Sequence, residues 1–110
     1  MALGEHWMID IYDFPKTTIE RSLEVLLEAA KIMKANVIKS FSTETKHENV
    51  ALVIIDESHL SIHDYRNKFA ALDIFTCGGK NMQVGFDYIQ KEINFNDYKF
   101  VLKTERFKNA

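Results

Sequence analysis

The chain has 110 residues, 46% apolar and 27% charged, which suits one packed core and leaves no length for a second ordinary domain. Its one cysteine, Cys77, excludes a disulfide framework and a multi-cysteine zinc site, and the longest apolar run, Val50 to Ile55, falls far short of the roughly 20 residues that cross a bilayer. Net charge is −2, with 6 basic and 10 acidic residues in 1–57 against 8 and 6 in 58–110; no basic stripe of the nucleic-acid-binding kind appears, and without a secretory pattern the expected compartment is reducing and cytoplasmic.

Residues His6 to Phe14 alternate as a strand, with Trp7, Ile9 and Ile11 on one side, and Pro15 stops it. Thr17 and Glu20 form a capping-box signature for a helix whose apolar face carries Ile19, Leu23, Leu26, Leu27, Ala30 and Met33, ending near Ala35. Asn36 to Phe41 and Val50 to Asp56 read as strands around a polar connection, Ser42 to Asn49, and the second is apolar enough to be central. Ser58 to His63 sets Leu60 and Ile62 against His59, Ser61 and His63, and a polar turn, Asp64 to Lys68, leads into Phe69 to Thr76. In that strand Ala70, Leu72 and Ile74 share a face, whereas Asp73, Phe75 and Cys77 share the other. Gly78 and Gly79 break the pattern. Asn81 caps a second helix bearing Val84, Ile89 and Ile93, and Tyr98, Phe100 and Leu102 alternate in a last strand. The order β-α-β-β-β-α-β predicts a single-domain, two-layer α+β sandwich, a mostly antiparallel sheet with both helices on one face. Its other face stays open unless a second subunit covers it, so a homodimer is expected.

The stretch Asp56-Glu57-Ser58-His59-Leu60-Ser61-Ile62-His63 puts two hydroxyls and two imidazoles beside an apolar strand. No Gly-x-Ser-x-Gly elbow surrounds either serine, as a serine hydrolase of that type requires. His59 and His63 would stand about 13 Å apart along a strand, too far to share a metal ion, so no metal is expected. Cys77, at a strand end before two glycines, is brought back toward Ser58 by the hairpin. A polar outward hairpin face and a site of covalent or proton-transfer chemistry both fit this pattern.

Glu57-Ser58-His59-Leu60-Ser61-Ile62-His63 and Ala70-Ala71-Leu72-Asp73-Ile74-Phe75-Thr76-Cys77-Gly78 resemble the short-chain prokaryotic S-adenosylmethionine decarboxylases, and with the order of elements the similarity extends over about residues 5 to 105. The resemblance implies a proenzyme that cuts itself between Glu57 and Ser58 into chains 1–57 and 58–110. In it the Ser58 hydroxyl attacks the Glu57 carbonyl, the amide becomes an ester, and β-elimination followed by hydrolysis leaves a pyruvoyl group at position 58. That ketone binds a substrate's primary amine as a Schiff base and accepts the electron pair released as carbon dioxide leaves, so no separate cofactor is needed. By the same resemblance His63 is the processing residue, Cys77 reprotonates the α-carbon, and active sites lie at the interface of a homodimer. A regulatory subunit keeping only the fold would need none of Ser58, His63 and Cys77.

The family usually follows the second histidine with Thr-Trp-Pro-Glu, where this chain reads Asp64-Tyr65-Arg66-Asn67. The usual Gly-Val-Ser-Gly approach and upstream aromatic residue are replaced by Thr43 to Ala51, which brings in Glu44 and Glu48. Carboxylates there suit a guanidinium or ammonium, although a solvated loop accounts for them equally well; the expected substrate, an amine with a carboxylate, is therefore arginine or ornithine, with S-adenosylmethionine as the alternative.

Overall fold

The computed structural model describes residues 3–56, 58–77 and 79–108. Strand β1 (Gly4–Tyr12) is followed by helix α1 (Ile19–Ile32), strands β2 (Val37–Glu44), β3 (Asn49–Ile55), β4 (Ser58–Asp64) and β5 (Ala70–Cys77), helix α2 (Met82–Ile93) and strand β6 (Asp97–Arg106). All six strands form one antiparallel sheet in the order β2-β3-β4-β5-β1-β6. Both helices pack on one face, so the architecture is the α+β sandwich that the order of elements predicts.

Alternation builds the core. Trp7, Ile9 and Ile11 of β1, Ala51, Val53 and Ile55 of β3, Leu60 and Ile62 of β4, and Ala70, Leu72 and Ile74 of β5 are buried beneath the helices. Helix α1 contributes Val25, Leu26, Ala29 and Ala30, and α2 contributes Met82, Phe86, Ile89 and Ile93. Ser22, Val25 and Ala29 thus take inward positions expected for Leu23 and Leu27, which stay only partly buried, and Val84 is exposed where Phe86 is not. Small residues let α1 approach the sheet and α2 closely, and this contact rotates its face by a fraction of a turn.

Three expected boundaries move. Thr18, one residue after the predicted capping residue, accepts the Arg21 N–H at 3.1 Å, a register that turns Ile19 inward. Helix α1 stops at Ile32 instead of near Ala35, with Lys34 in the left-handed region at φ 61°. Half of the polar connection is strand, because backbone pairing is indifferent to side-chain polarity: Ser42, Thr43 and Glu44 pair with Ala51, Val50 and Asn49, leaving Thr45 to Glu48 as a turn. In β6, Met8 faces Leu102 and Ile9 faces Phe100, so Val101 is a bulge and Leu102 leaves the side of the sheet that holds Tyr98 and Phe100.

The face away from the helices carries His6 and Met8 of β1, Val50, Leu52 and Ile54 of β3, His59, Ser61 and His63 of β4, and Asp73, Phe75 and Cys77 of β5. Among the described residues no helix is long and apolar enough to cross a membrane, and no group of three His, Cys, Asp or Glu side chains is placed to hold a metal ion.

Candidate active site

The β3–β4 hairpin pairs Ile55 with Ser58, so only positions 56 and 57 separate the strands. Glu57, the residue expected before the cleaved bond, lies outside the described residues. The turn is anchored by the Asp56 N–H, which donates to the Asn36 carbonyl at 3.1 Å. Ser58 occupies the first position of β4, is 7% exposed, and borders a hollow of about 720 Å³ on the open sheet face. Val50, Leu52, Ile54 and Phe75 give that hollow apolar walls, and His59, Ser61, His63 and Asp73 complete it.

Cys77 ends β5 on the open face, as alternation predicts, opposite Gly4 of β1. A side chain at position 4 would place its Cβ 2.9 Å from the Thr76 carbonyl oxygen, so the strands meet this closely only with glycine there. Gly78 lies outside the described residues; Gly79 turns with φ 92°.

His63 sits toward the other end of β4. Its Nδ1 lies 3.1 Å from Glu48 Oε1, and its ring stacks on Tyr65 with centroids 6.3 Å apart. Glu48, one of two acidic residues expected to meet a cationic substrate, is thus engaged by an imidazole. Glu44, the other, is exposed at the end of β2 opposite Asn49 and is not among the residues that line the hollow.

The residues that sequence reasoning left unassembled are His6 and Asp73. His6 Nε2 lies 2.6 Å from Asp73 Oδ1 and His59 Nε2 lies 3.4 Å from Asp73 Oδ2, joining β1, β5 and β4 across the open face. Burial pushes the Asp73 carboxyl up, but hydrogen bonds from His59 and His6 outweigh it and hold the group below the usual carboxylate range. Phe75 packs against both rings, at centroid distances of 5.0 and 5.8 Å. Alternation put Asp73 on this face; the partnership needed the placement of β1 beside β5, which no local pattern carries.

The open face thus has a serine heading a hairpin strand, a cysteine ending the adjacent strand and a histidine farther along. The sequence profile of the S-adenosylmethionine decarboxylase family matches residues 5–105. The chain belongs to that family. An S-adenosylmethionine decarboxylase proenzyme of Sulfurihydrogenibium sp. (strain YO3AOP1) is 32% identical over 109 residues, covering 94% of this chain and 73% of the relative. One from Thermococcus kodakarensis is 38% identical, covering 83% and 68%, and an S-adenosylmethionine decarboxylase proenzyme 2 of Bacillus cereus is 37% identical, covering 87% and 83%. The crystal structure of the adenosylmethionine decarboxylase from Aquifex aeolicus VF5 superposes with a TM-score of 0.84 at 25% identity, over 99% of this chain and 94% of that one.

Membership in the S-adenosylmethionine decarboxylases makes the chain a pyruvoyl-dependent carboxy-lyase. The expectation of arginine or ornithine as substrate finds no support among these relatives, which are S-adenosylmethionine decarboxylase proenzymes. It assumed that Glu44 and Glu48 were free counter-charges, whereas the tight hairpin ties Glu48 to His63 and carries Glu44 to the exposed end.

Proposed function

We propose that this chain is a self-processing decarboxylase of S-adenosylmethionine, cut between Glu57 and Ser58, and that it works as a homodimer. The observation that carries the reading is Ser58 at the head of β4, bordering an open-face hollow directly after a two-residue turn. Cleavage there breaks no ladder pair, because β3 and β4 stay joined from Ile55 with Ser58 to Asn49 with Asp64. The described residues suit the pyruvoyl group: its parent serine is already desolvated, and the adjacent hollow is apolar. Once formed, that group supplies a ketone for the substrate amine and a sink for the electron pair freed as carbon dioxide leaves.

The protein's own side chains do the rest. The Ser58 Oγ must lose its proton as it attacks the Glu57 carbonyl, and His63 is the base in this reading. His63 stands five residues along the same strand, about 17 Å away, so it does not serve its own Ser58. This separation supports a two-fold pairing of open faces in which His63 of each subunit meets Ser58 of the other. Cys77 differs. His59 pairs with Phe75, so Cys77 lies one step beyond the position facing Ser58, and its thiol serves the same subunit's site by returning a proton to the substrate α-carbon.

The hollow favours S-adenosylmethionine over a basic amino acid. Its described lining holds one carboxylate, Asp73, already accepting from two histidines, so a guanidinium would find no free counter-charge. Apolar walls and the Phe75 ring suit a flat base and a sulfonium.

The test combines mass and turnover. Denaturing mass spectrometry of the purified protein should give fragments 1–57 and 58–110 that co-elute under native conditions, with carbon dioxide released from S-adenosylmethionine and not from arginine, ornithine or lysine. Full activity in an uncut chain overturns the processing reading; arginine or ornithine turnover without that of S-adenosylmethionine overturns the substrate.

A further inference from the structure

Neither ladder pairing nor core packing requires the contact between Glu48 and His63. Both groups are partly exposed, at 23% and 39%, yet Glu48 is held by a closed turn and not by a free loop. The Thr45 N–H donates to the Glu48 carbonyl at 2.8 Å, and the Glu48 N–H donates to Thr45 Oγ1 at 3.0 Å. Arg66, from the β4–β5 connection, donates to the Thr45 carbonyl at 2.6 Å and to Asn49 Oδ1 at 3.2 Å, bracing the turn against the end of the strand that carries His63. Tyr65 stacks on the imidazole. Two sides of the ring are therefore contacted, and Glu48 on one of them is itself carried by a braced turn.

From this geometry we infer that Glu48 is the positioning residue of self-cleavage, fixing the orientation and tautomer of His63. A carboxylate only accepts, so the imidazole nitrogen 3.1 Å away donates: the proton sits on Nδ1 and the lone pair on Nε2. That places the basic atom on the far side of the ring from Glu48, free for the hydroxyl it deprotonates. The role rests on the reading of His63 as the processing base. Glu48 touches neither the hydroxyl nor the scissile carbonyl, so it acts through the imidazole alone, as an oriented acid does in a Ser-His-Asp arrangement.

The experiment measures cleavage and tautomer separately. Newly folded wild type, Glu48→Gln, Glu48→Ala and His63→Ala are followed by intact mass to obtain cleavage rates. The tautomer is read from ¹⁵N shifts of labelled histidine in uncleavable Ser58→Ala chains, with and without Glu48→Ala, the His63 signal being assigned by its loss in Ser58→Ala/His63→Ala. Glu48→Ala should slow cleavage by roughly 10- to 100-fold, the range expected for loss of a charge-assisted hydrogen bond, and Glu48→Gln, which keeps a neutral acceptor, should fall between it and wild type. The Nδ1–H form should dominate with Glu48 present and give way to the Nε2–H form without it. A wild-type cleavage rate in Glu48→Ala, or a tautomer that is the same with and without Glu48, overturns the inference and leaves the role of His63 standing. Wild-type cleavage in His63→Ala removes the base itself, and the inference falls with it.

Discussion

Asp73 shows how single residues tune the open face. Its carboxylate accepts from His6 and His59, and the two imidazoles lower its pKa although burial raises it. An aspartate whose folded value lies below its unfolded 3.8 stabilises the fold at higher pH and loses that contribution as pH falls through the folded value. Asp73→Asn should therefore cost about 1.5–3 kcal/mol near neutral pH by urea unfolding, the range for hydrogen bonds to a charged group. The gap between wild type and variant should shrink as pH falls below the unfolded value. A gap independent of pH through the acid range would show that the imidazoles do not stabilise the ionised form.

Between elements, the two helices meet at a glycine. Gly85 lies inside α2 at a buried position, and a Cβ there would stand 2.8 Å from the Cγ of Met33, the residue that caps α1. Alanine is the better helix former by about 1 kcal/mol, whereas overpacking a filled core costs about 1–3 kcal/mol, so Gly85→Ala should destabilise the protein by about 1 kcal/mol. In a Met33→Ala background the clash is absent, and the same substitution should instead stabilise by up to about 1 kcal/mol. Chemical denaturation of the four proteins of this cycle measures the reversal, and additive effects would contradict the packing argument.

At the scale of the whole molecule, the topology interlocks the proposed fragments. Residues 1–57 supply β1, α1, β2 and β3, while 58–110 supply β4, β5, α2 and β6. In the sheet β1 from the first fragment lies between β5 and β6 of the second, and β3 pairs with β4. A cut in the β3–β4 turn thus removes a covalent link without opening the core. The same scale decides who processes whom. If His63 serves the partner's Ser58, mixing Ser58→Ala chains, which carry His63, with His63→Ala chains, which carry Ser58, should cut the latter, while each variant alone stays largely whole. Denaturing mass spectrometry separates the products by mass, and no cutting in mixtures shown to exchange subunits would return the chemistry to a single chain.

Alternation in β1, β3, β4 and β5 was legible from the residues because a strand's period of two puts its apolar set on one side whatever its neighbours are. That period placed Asp73, Phe75 and Cys77 on the face away from the core, and the Ser58 and Cys77 blocks carried the family resemblance through residue identity alone. Helix phase was less legible: Ser22 and Ala29 are inside and Val84 outside, since the faces are chosen by contact with a partner helix and not by hydrophobicity alone. The substrate expectation failed for a related reason. Glu44 and Glu48 read alike as acidic loop residues, but one ends an exposed strand and the other is turned onto His63 by a hairpin closed from Thr45 and braced from Arg66. Composition and period by themselves determined the layers and the face that bears the proposed site; only the tertiary structure decided that His6, His59 and Asp73 form one cluster and that Glu48 belongs to His63, because those partnerships join strands whose order in the sheet is not their order in the chain, or side chains brought together across a turn.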